Sequence, residues 1–597
     1  MSRILFVMLH PGFIRYYDDA VQALAADGHH VHIAVETSRD KLGDSALAQR
    51  MSDSSPLISF GGTPPRVESV RDFLVRRDRT AMRSSDGRGV GRRRDVAWES
   101  LATTVRLALD YLRFFEPRFA HAGKLRDRAE KRLPPVYVPP LRAAAAAGGW
   151  ARRALSAVLR GVENAIPVGE ALESYVRQQQ PDLLLVTPLI ELGSQQVDYV
   201  KCARHLGIRS ALCVASWDNL TSKGLIRVVP DHVVVWNEAQ KAEATTLHGV
   251  PSEGVTVTGA QVFDRWFSAR PSRSREAFCQ DLGLDPARPF VLYVGSSVFI
   301  APEEVSFTER WLSRLRHSAH PEVSSLGVLV RPHPANARQW RTFDAHAWPN
   351  VALWPTGAGE PSSADARRDY FDSLFHSAAV VGINTSAQIE AGIIGRPVFT
   401  MCTPEFAHSQ EGTLHFQHLV NPTEGVVRAA ATIDDHLDQL REALLHPERV
   451  ADANRRFVRA FVRPLGEDVP AVPEFARAIA SLAARGGPAP RPAGAGAGIA
   501  RPFVYVLAWV ARGLAEDRPL WVHALRPFVT ATVWAAAWAY RVRRGARERG
   551  HLAAKLARRR LHRTWYKSTR ASERWWKRVR GRARRALAFA HGIHRRH

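Results

Sequence analysis

Apolar and polar positions along the first forty residues alternate in a way that predicts a parallel sheet. The apolar runs "ILFVML" and "HVHIAV" predict strands, and "YYDDAVQALAADG" between them has the spacing of an amphipathic helix. Strand runs return as "PDLLLVTPL", "SALCVAS", "HVVVWN" and "VTVTG", with helical segments among them. Strands that alternate with helices favour parallel pairing, so we predict an α/β fold.

A second α/β unit begins at "PFVLYVGS" and continues through "LGVLVRPHP", "VALWP", "AAVVGINTS" and "PVFTMC". A helical pattern then covers residues 434–485. Residues 66–165 interrupt the first unit, because they are rich in Arg and Ala and have helical periodicity in "WESLATTVRLALDYLRFF" and "ARRALSAVLRGVENA". We therefore predict a helical insertion over 66–165.

The net charge of +25 is concentrated in one part of the chain. Residues 501–597 contain 25 Lys/Arg and 4 Asp/Glu, a net of +21, which leaves +25 − 21 = +4 for the preceding residues. The run "GGPAPRPAGAGAG" before this tail is typical of a linker. The body is thus a near-neutral globular protein, and the tail needs a separate explanation.

Trp, Tyr and Phe lie among apolar stretches of the tail, and Arg-rich runs follow them. This combination is typical of the headgroup zone of a membrane, and polybasic segments gain ~1 kcal/mol per charge near anionic lipid. Nucleic acid is a competing partner, but the tail contains no recognisable nucleic-acid-binding module. A solvated tail without a partner is the third alternative. We expect an anionic membrane surface to be the partner.

The four cysteines are scattered along the chain and show neither paired nor metal-like spacing: Cys202, Cys213, Cys279 and Cys402. This pattern favours a reducing compartment. "MSRILFVML" has the pattern of a first strand and not of a signal peptide, and no apolar run reaches the ~18–20 residues of a spanning helix. We expect a cytoplasmic protein that is peripheral at the inner face of the plasma membrane.

The stretch "VVGINTSAQIEAGIIGRPVFT" carries the clearest chemistry. A strand leads through Asn384, Thr385 and Ser386 into a helix, whose free N–H groups and dipole favour an anion. Glu390 lies on the same face one turn deeper, about 6 Å along the axis, which is roughly the step from a diphosphate to its ribose. The alternative is an ordinary N-cap, with Glu390 as a partner of the helix dipole.

"RPHP" ends the strand "LGVLV" on the same predicted edge of the sheet. Open α/β sheets bind ligands at that edge. Arg331 and His333 therefore complete a candidate phosphate cradle. The alternative for His333 is a structural histidine in a turn.

The two α/β halves, "RPHP" and the Asn-Thr-Ser-x-x-x-Glu helix followed by Gly-Arg-Pro-Val resemble the GT-B glycosyltransferase superfamily. The second half is similar to nucleotide-sugar 2-epimerases and to glycerophosphotransferases of the teichoic-acid type. The resemblance covers roughly residues 1–60 and 165–480. It implies two facing Rossmann-like domains, the nucleotide donor on the second, the acceptor on the first, and catalysis without a bound metal or cofactor. It also implies that Ser296, in "GSSVF", lies near the diphosphate.

The predicted organisation has four parts: an acceptor domain at 1–265 with the insertion at 66–165, a nucleotide-donor domain at 266–485, a linker at 486–500 and a membrane-associating tail at 501–597.

Two loops of the first half are candidates for catalysis. Transfer needs a base that takes the proton of the acceptor hydroxyl. His10, directly after the first strand, is one candidate, and Arg15 beyond it is a candidate for binding an acidic acceptor. The alternative for His10 is a turn residue before Pro11.

The second loop is "SWDNLTSKG". A loop this polar after a buried strand is typical of ligand binding. Asp218 is the other candidate base, Lys223 a candidate phosphate contact, and Trp217 and Asn219 candidate substrate contacts. The alternative is an Asx-turn anchored by Trp217.

The segment "EFAHSQEGTLHFQHL" follows the last predicted strand. Glu411, Gly412 and His415 are candidates for lining the donor-sugar pocket. The spacing of His408, His415 and His418 fits no established metal pattern, so no metal site is predicted.

Together these features predict a metal-independent glycosyltransferase of bacterial cell-envelope polysaccharide biosynthesis. It would move a sugar from a nucleotide-diphosphate donor to a surface polysaccharide or a lipid-linked glycan. An epimerase-like or glycerophosphotransferase-like enzyme is one alternative. A non-catalytic scaffold with the same fold, bound to membrane or nucleic acid, is the other.

Overall fold

A computed structural model describes residues 1–37, 40, 44–64, 89–355, 364–491 and 500–508 of the chain. Within these residues, seven parallel strands form a first sheet in the order β3-β2-β1-β4-β5-β6-β7. The strands are β1 Arg3–Met8, β2 His30–Val35, β3 Ile58–Gly62, β4 Leu183–Thr187, β5 Arg209–Cys213, β6 His232–Val235 and β7 Val255–Val257.

The second sheet is also parallel and has the order β10-β9-β8-β11-β12-β13 over the described residues. Its strands are β8 Phe290–Val294, β9 Gly327–Arg331, β10 Val351–Leu353, β11 Ala379–Gly382, β12 Val398–Met401 and β13 Val427–Ala430. Both orders place the first strand of the unit in the interior, as in a Rossmann-like fold.

Helices connect the strands of both sheets. Those of the first half are α1 Asp18–Ala26, α2 Asp44–Ser54, α3 Gly89–Arg113, α4 Gly123–Glu130, α5 Val138–Ala146, α6 Gly149–Ala165, α7 Glu170–Gln179, α8 Val197–Leu206, α9 Asn219–Ser222, α10 Glu238–His248 and α11 Asp264–Ser268. Those of the second half are α12 Arg275–Leu282, α13 Glu304–Arg316, α14 Pro321–Ser324, α15 Ala364–His376, α16 Ala387–Ile394, α17 Leu414–Val420, α18 Ile433–Leu445, α19 Glu448–Phe457 and α20 Ala471–Ala484.

The central strands are buried, as parallel sheets require. Every residue of β4, β8 and β9 is buried, and their Val and Leu side chains form apolar clusters on both faces of the sheets. These are the runs that the sequence predicts most directly, because a strand covered on both faces needs apolar side chains throughout.

The end of the chain body returns to the first sheet. Phe475 and Ile479 of α20 are buried in the apolar cluster that contains β1. The Asp264 carboxylate stabilises this return of the chain to the first half. It accepts hydrogen bonds from the Val472 backbone N–H at 2.7 Å and from Arg463 at 3.0 Å. The two halves are therefore joined at two places, through α11 and through the segment that leads into α20.

Buried charges attach the helical insertion to the first sheet. Arg106 of α3 is fully buried and donates to Glu163 of α6 and to Asp198 of α8. Asp110 accepts backbone N–H groups from Gly193 and Leu225. The insertion is thus part of the first half and is bonded to its loops.

The predicted α/β class, the two Rossmann-like parallel sheets and the helices of the insertion are confirmed. The edge strands β3 and β13 are additional to the predicted ones. The domain boundaries stay a prediction, and part of the insertion, at 66–88, lies outside the described residues. In the tail, residues 500–508 are helical, and the remainder of the predicted membrane-associating tail lies outside the described residues, as does most of the linker. No helix in the described ranges combines the length and apolarity needed to cross a membrane.

We expect Arg106→Met to destabilise the first half strongly. The substitution leaves the Glu163 and Asp198 carboxylates buried without their shared guanidinium, and breaking a buried ion pair costs about 3–5 kcal/mol. Urea unfolding followed by circular dichroism measures the loss.

The matched control is Arg177→Met. Arg177 pairs with Glu173 on the surface of α7, where an ion pair contributes about 0.3–0.5 kcal/mol. Equal unfolding midpoints for the two variants would contradict the structural role assigned to Arg106.

Candidate functional site

Three loops meet at the carboxyl edge of the second sheet. They follow β8, β9 and β11, which are neighbours in the sheet. A Cβ at Gly295 would lie 2.9 Å from the His333 backbone nitrogen, and one at Gly382 would lie 2.8 Å from Val294 Cγ2. Glycine at both positions therefore lets these neighbouring strand ends and the loop after β9 pack closely against one another.

The turn after β11 presents Ser386 to solvent. Asn384 is buried and donates through Nδ2 to the Ser409 carbonyl at 2.6 Å, and the Thr385 hydroxyl accepts the Ala387 N–H at 3.4 Å. Ser386 is exposed at the N-terminus of α16, and its hydroxyl has no hydrogen-bond partner among the described residues. Asn384 and Thr385 shape the turn, whereas Ser386 is open to a ligand.

Glu390 lies one turn deeper in α16 and is connected to Arg331. Tyr370 of α15 donates its hydroxyl to Glu390 Oε2, and the Arg331 guanidinium lies 5.3 Å from the centre of the Tyr370 ring. Burial raises the pKa of Glu390 to about 7, opposed by the Tyr370 hydrogen bond. The Arg331 side chain is buried, donates to Ser373 at 2.7 Å and has its pKa lowered to about 10 by burial.

His333 and Ser296 fix the other two loops. His333 is the N-cap of a short 3-10 helix, and its Nδ1 accepts the Ala335 N–H at 3.0 Å. This contact matches the alternative stated for His333, a structural histidine in a turn. The Ser296 N–H donates to both oxygens of Glu304 at 2.9 Å, so this N–H is not open to a phosphate. The Ser296 hydroxyl is buried and lacks a hydrogen-bond partner among the described residues.

Asp218 of the first half is surrounded by hydroxyl donors. Its carboxylate accepts hydrogen bonds from the Ser216 and Ser222 hydroxyls at 2.8 Å each and from Asn219 Nδ2 at 3.3 Å. Burial opposes its ionisation, but the Lys223 charge and these hydroxyls hold the pKa of Asp218 below its usual range. Asp218 is therefore an anion in the folded chain.

Charged side chains extend from the Asp218 loop. Lys223 pairs with Glu191 at 2.8 Å, and this charge keeps the pKa of Glu191 low although the carboxylate is partly buried. Arg128 of the insertion donates to the Ser222 carbonyl and lies 5.0 Å from the Phe299 ring of the second half. The insertion thus contacts both halves beside Asp218.

His415 contacts the Asp218 loop from the second half. Its Nδ1 shares a hydrogen bond of 3.0 Å with the Thr221 hydroxyl, and its ring packs edge-on against Trp217 at 4.9 Å. Burial lowers the pKa of His415 to about 4, so the imidazole is neutral at pH 7. Glu411, which precedes His415 in sequence, is exposed to solvent. A Cβ at Gly412 would lie 2.5 Å from the carbonyl oxygen of His121 in the insertion.

His10 and Arg15 lie at the carboxyl end of β1. His10 Nδ1 accepts the Gly12 N–H at 3.1 Å, and its ring packs against Phe13 at 4.7 Å. Arg15 pairs with Asp44 at 2.6 Å. These contacts match the turn role that is the alternative for His10, and the catalytic role of each candidate residue stays a prediction.

The structure brings the predicted residues into two clusters. The first, which we call the donor cluster, contains Ser386, Glu390 and Arg331. The second, which we call the cleft cluster, contains Asp218, Trp217, Asn219 and Lys223 of the first half with His415 of the second. The sequence pattern does not predict four residues that belong to these clusters or support them: Tyr370, Glu304, Glu191 and Arg128. Of these four residues, only Glu191 has a signal in the sequence, because it lies four residues after a buried strand.

The chain is similar to several solved structures at low identity. One is the UDP-GlcNAc 2-epimerase of Neisseria meningitidis bound to UDP-GlcNAc, at 10% identity and TM-score 0.45, covering 81% of this chain and 100% of that chain. Another is a glycosyltransferase of Rickettsia africae, at 8% identity and TM-score 0.44, covering 81% and 98%. A third is WaaG, a glycosyltransferase involved in lipopolysaccharide biosynthesis, at 12% identity and TM-score 0.38, covering 80% and 99%.

No protein-family model matches the chain. No curated protein matches it either. Because the TM-scores are low, the fold is assigned from the two strand orders and not from these likenesses.

We expect the folded chain to lose stability as the pH rises from about 5 to about 8 on account of Glu304. Burial raises the pKa of Glu304 to about 8, so the folded chain keeps a proton that the unfolded chain has already released. Each unit of pH in this window costs up to about 1.4 kcal/mol. Urea unfolding at pH 5 and pH 8 measures the change.

Glu304→Gln is the comparison, because a neutral amide has no proton to release. The variant's stability should fall less than that of the original chain between the two pH values. Parallel pH profiles for the two proteins would contradict the raised pKa.

Proposed function

We propose that the carboxyl edge of the second sheet binds a nucleoside diphosphate, as part of a nucleotide-sugar-dependent transferase. The observation that carries the proposal is the donor cluster: an open hydroxyl at Ser386 on a helix N-terminus, with a half-buried acid at Glu390 one turn deeper. Backbone N–H groups at such a terminus favour a diphosphate. Glu390 Oε1 is the carboxylate oxygen left for a ribose hydroxyl, since Oε2 accepts from Tyr370.

The cleft cluster supplies the second half of the chemistry. A base there removes the proton of an acceptor hydroxyl, whose oxygen attacks the anomeric carbon as the bond to the diphosphate breaks. The helix N-terminus stabilises the charge on the departing diphosphate. Asp218 is supported as the base by its ionised state and its position beside residues of both halves. His10 is the other candidate.

A sugar is the group that we propose is transferred, and a glycan or lipid-linked glycan is the acceptor. The charged residues Lys223, Glu191 and Arg128 beside Asp218 provide polar contacts for a second substrate. An epimerase, by contrast, acts on the nucleotide sugar alone. The basic tail supports a location at the cytoplasmic face of a membrane, where a lipid-linked acceptor would be found.

We expect one of UDP, GDP or CDP to bind the full-length chain in isothermal titration calorimetry. Ser386→Ala should weaken binding about threefold to tenfold, the worth of one hydrogen bond, and Glu390→Gln should weaken it by about tenfold or more. Binding should strengthen as the pH rises through about 7, because ionised Glu390 is the better acceptor for ribose hydroxyls. This pH dependence should be absent from Glu390→Gln.

The control for this measurement is Glu238→Gln, which removes a first-turn acid from α10 in the first half. It should leave nucleotide affinity unchanged. If none of the three nucleotides binds, Ser386 and Glu390 are helix-cap residues and the donor site is elsewhere.

We expect Asp218→Asn to slow nucleotide release from the donor sugar by about 10²–10⁴-fold while nucleotide affinity is retained. Water serves as the acceptor in this assay, so the natural acceptor is not required. If His10→Ala slows nucleotide release by this factor and Asp218→Asn does not, the base is His10 and not Asp218. A chain that binds nucleotide but releases none from any donor sugar would be a non-catalytic scaffold.

A further inference from the structure

One helix of the insertion presents an apolar face to solvent. The inner side of α6 packs on α3, where Leu155 and Leu159 join the apolar cluster of the insertion and Glu163 pairs with Arg106. The opposite side is exposed and carries small or apolar residues at helical spacing: Trp150, Ala154, Ala157, Val158 and Gly161. Trp150 is 70% exposed and Val158 62% exposed.

The charges beside this face have one sign. The segment from Lys131 to Val162 contains no acidic residue, and its basic residues are Lys131, Arg132, Arg142, Arg152, Arg153 and Arg160. Arg153 and Arg160 are exposed on one flank of the face, seven residues apart, and pair with no carboxylate among the described residues. Arg142 pairs with Glu130 just before the segment, and Arg152 donates to the Phe115 carbonyl.

From this arrangement we infer that the outer face of α6 binds an anionic lipid surface. Trp and small apolar residues enter the boundary between headgroups and acyl chains, while Arg residues on the flank meet lipid phosphates. The helix is already folded against α3, so binding does not incur the entropy of helix formation. The charge pattern favours an anionic lipid surface as the partner, because a face that has no Asp or Glu beside it attracts an anionic surface along its whole length.

The inference does not depend on the proposed function, and it concerns a different part of the chain from the basic tail. A lipid contact on α6 would hold the first half of the chain at the membrane surface.

An environment-sensitive fluorophore locates the contact in the full-length chain. Val158→Cys and Leu445→Cys are each labelled in a Cys402→Ser background, since the other three cysteines are buried. Leu445 is an exposed apolar residue of the second half and serves as the matched control. With vesicles of phosphatidylcholine and phosphatidylglycerol (70:30), the label at 158 should shift to the blue and the label at 445 should not. No shift at 158, or equal shifts at both, would overturn the inference.

Vesicle co-sedimentation measures the contribution of the charges. Arg153→Gln with Arg160→Gln should weaken partitioning about 30-fold, from about 1 kcal/mol per charge. Arg50→Gln with Arg485→Gln removes two exposed charges elsewhere in the full-length chain and should weaken it far less. Both double variants should keep the wild-type unfolding midpoint and nucleotide affinity, which separates this test from that of the donor site.

Two other occupants would be distinguished by the same proteins. Self-association without lipid, lost in Trp150→Ser, would assign the face to a second copy of the chain and overturn the inference. Equal binding of wild-type chain and the Arg153/Arg160 variant to anionic vesicles would assign lipid binding to another region and overturn it as well.

Discussion

Parallel pairing of the strands is the constraint on which the rest of this structure depends. Parallel strands end at the same edge of a sheet, so the loops after β8, β9 and β11 must lie side by side. Gly295 and Ser386 lie in two of those loops and Arg331 ends β9, and the three residues are far apart in sequence. The same constraint in the first sheet places the loops after β1, β4 and β5 at one edge. Both clusters of candidate residues follow from strand direction before any side-chain contact is considered.

The sequence predicts the buried strands well because their side chains meet protein on both faces. "LLLVT" and "FVLYV" contain no alternation and leave little choice of structure. The edge strands β3 and β13 are harder to recognise, since "ISFGG" and "VRAA" are short and partly exposed. Partial burial permits Gly, Arg and Ala, and these residues weaken the apolar signal on which strand prediction depends.

The sequence predicts the candidate site most directly at the ends of strands. Arg331 ends β9, Asp218 and Ser386 follow β5 and β11, and each lies in one of the two clusters. Tyr370 and Glu304 lie within helices whose patterns are ordinary, and only the tertiary packing of α15 and α13 brings them to the strand ends. Helical periodicity indicates which face of a helix is buried, but it does not indicate which loop that face will meet.

The donor and cleft clusters differ in charge state for a physical reason. Glu390 has a hydroxyl partner and, among the described residues, no cation in contact with it, so burial leaves its carboxyl near the midpoint of titration at neutral pH. Asp218 is also enclosed, but Lys223 and three polar side chains keep it ionised. Partial protonation lowers the free-energy cost of burying the carboxyl when no ligand is present. A carboxyl that binds ribose therefore loses little by carrying a proton part of the time. A carboxylate that must take a proton has to be ionised beforehand, and the hydroxyls of Ser216 and Ser222 maintain that state at the expense of basicity.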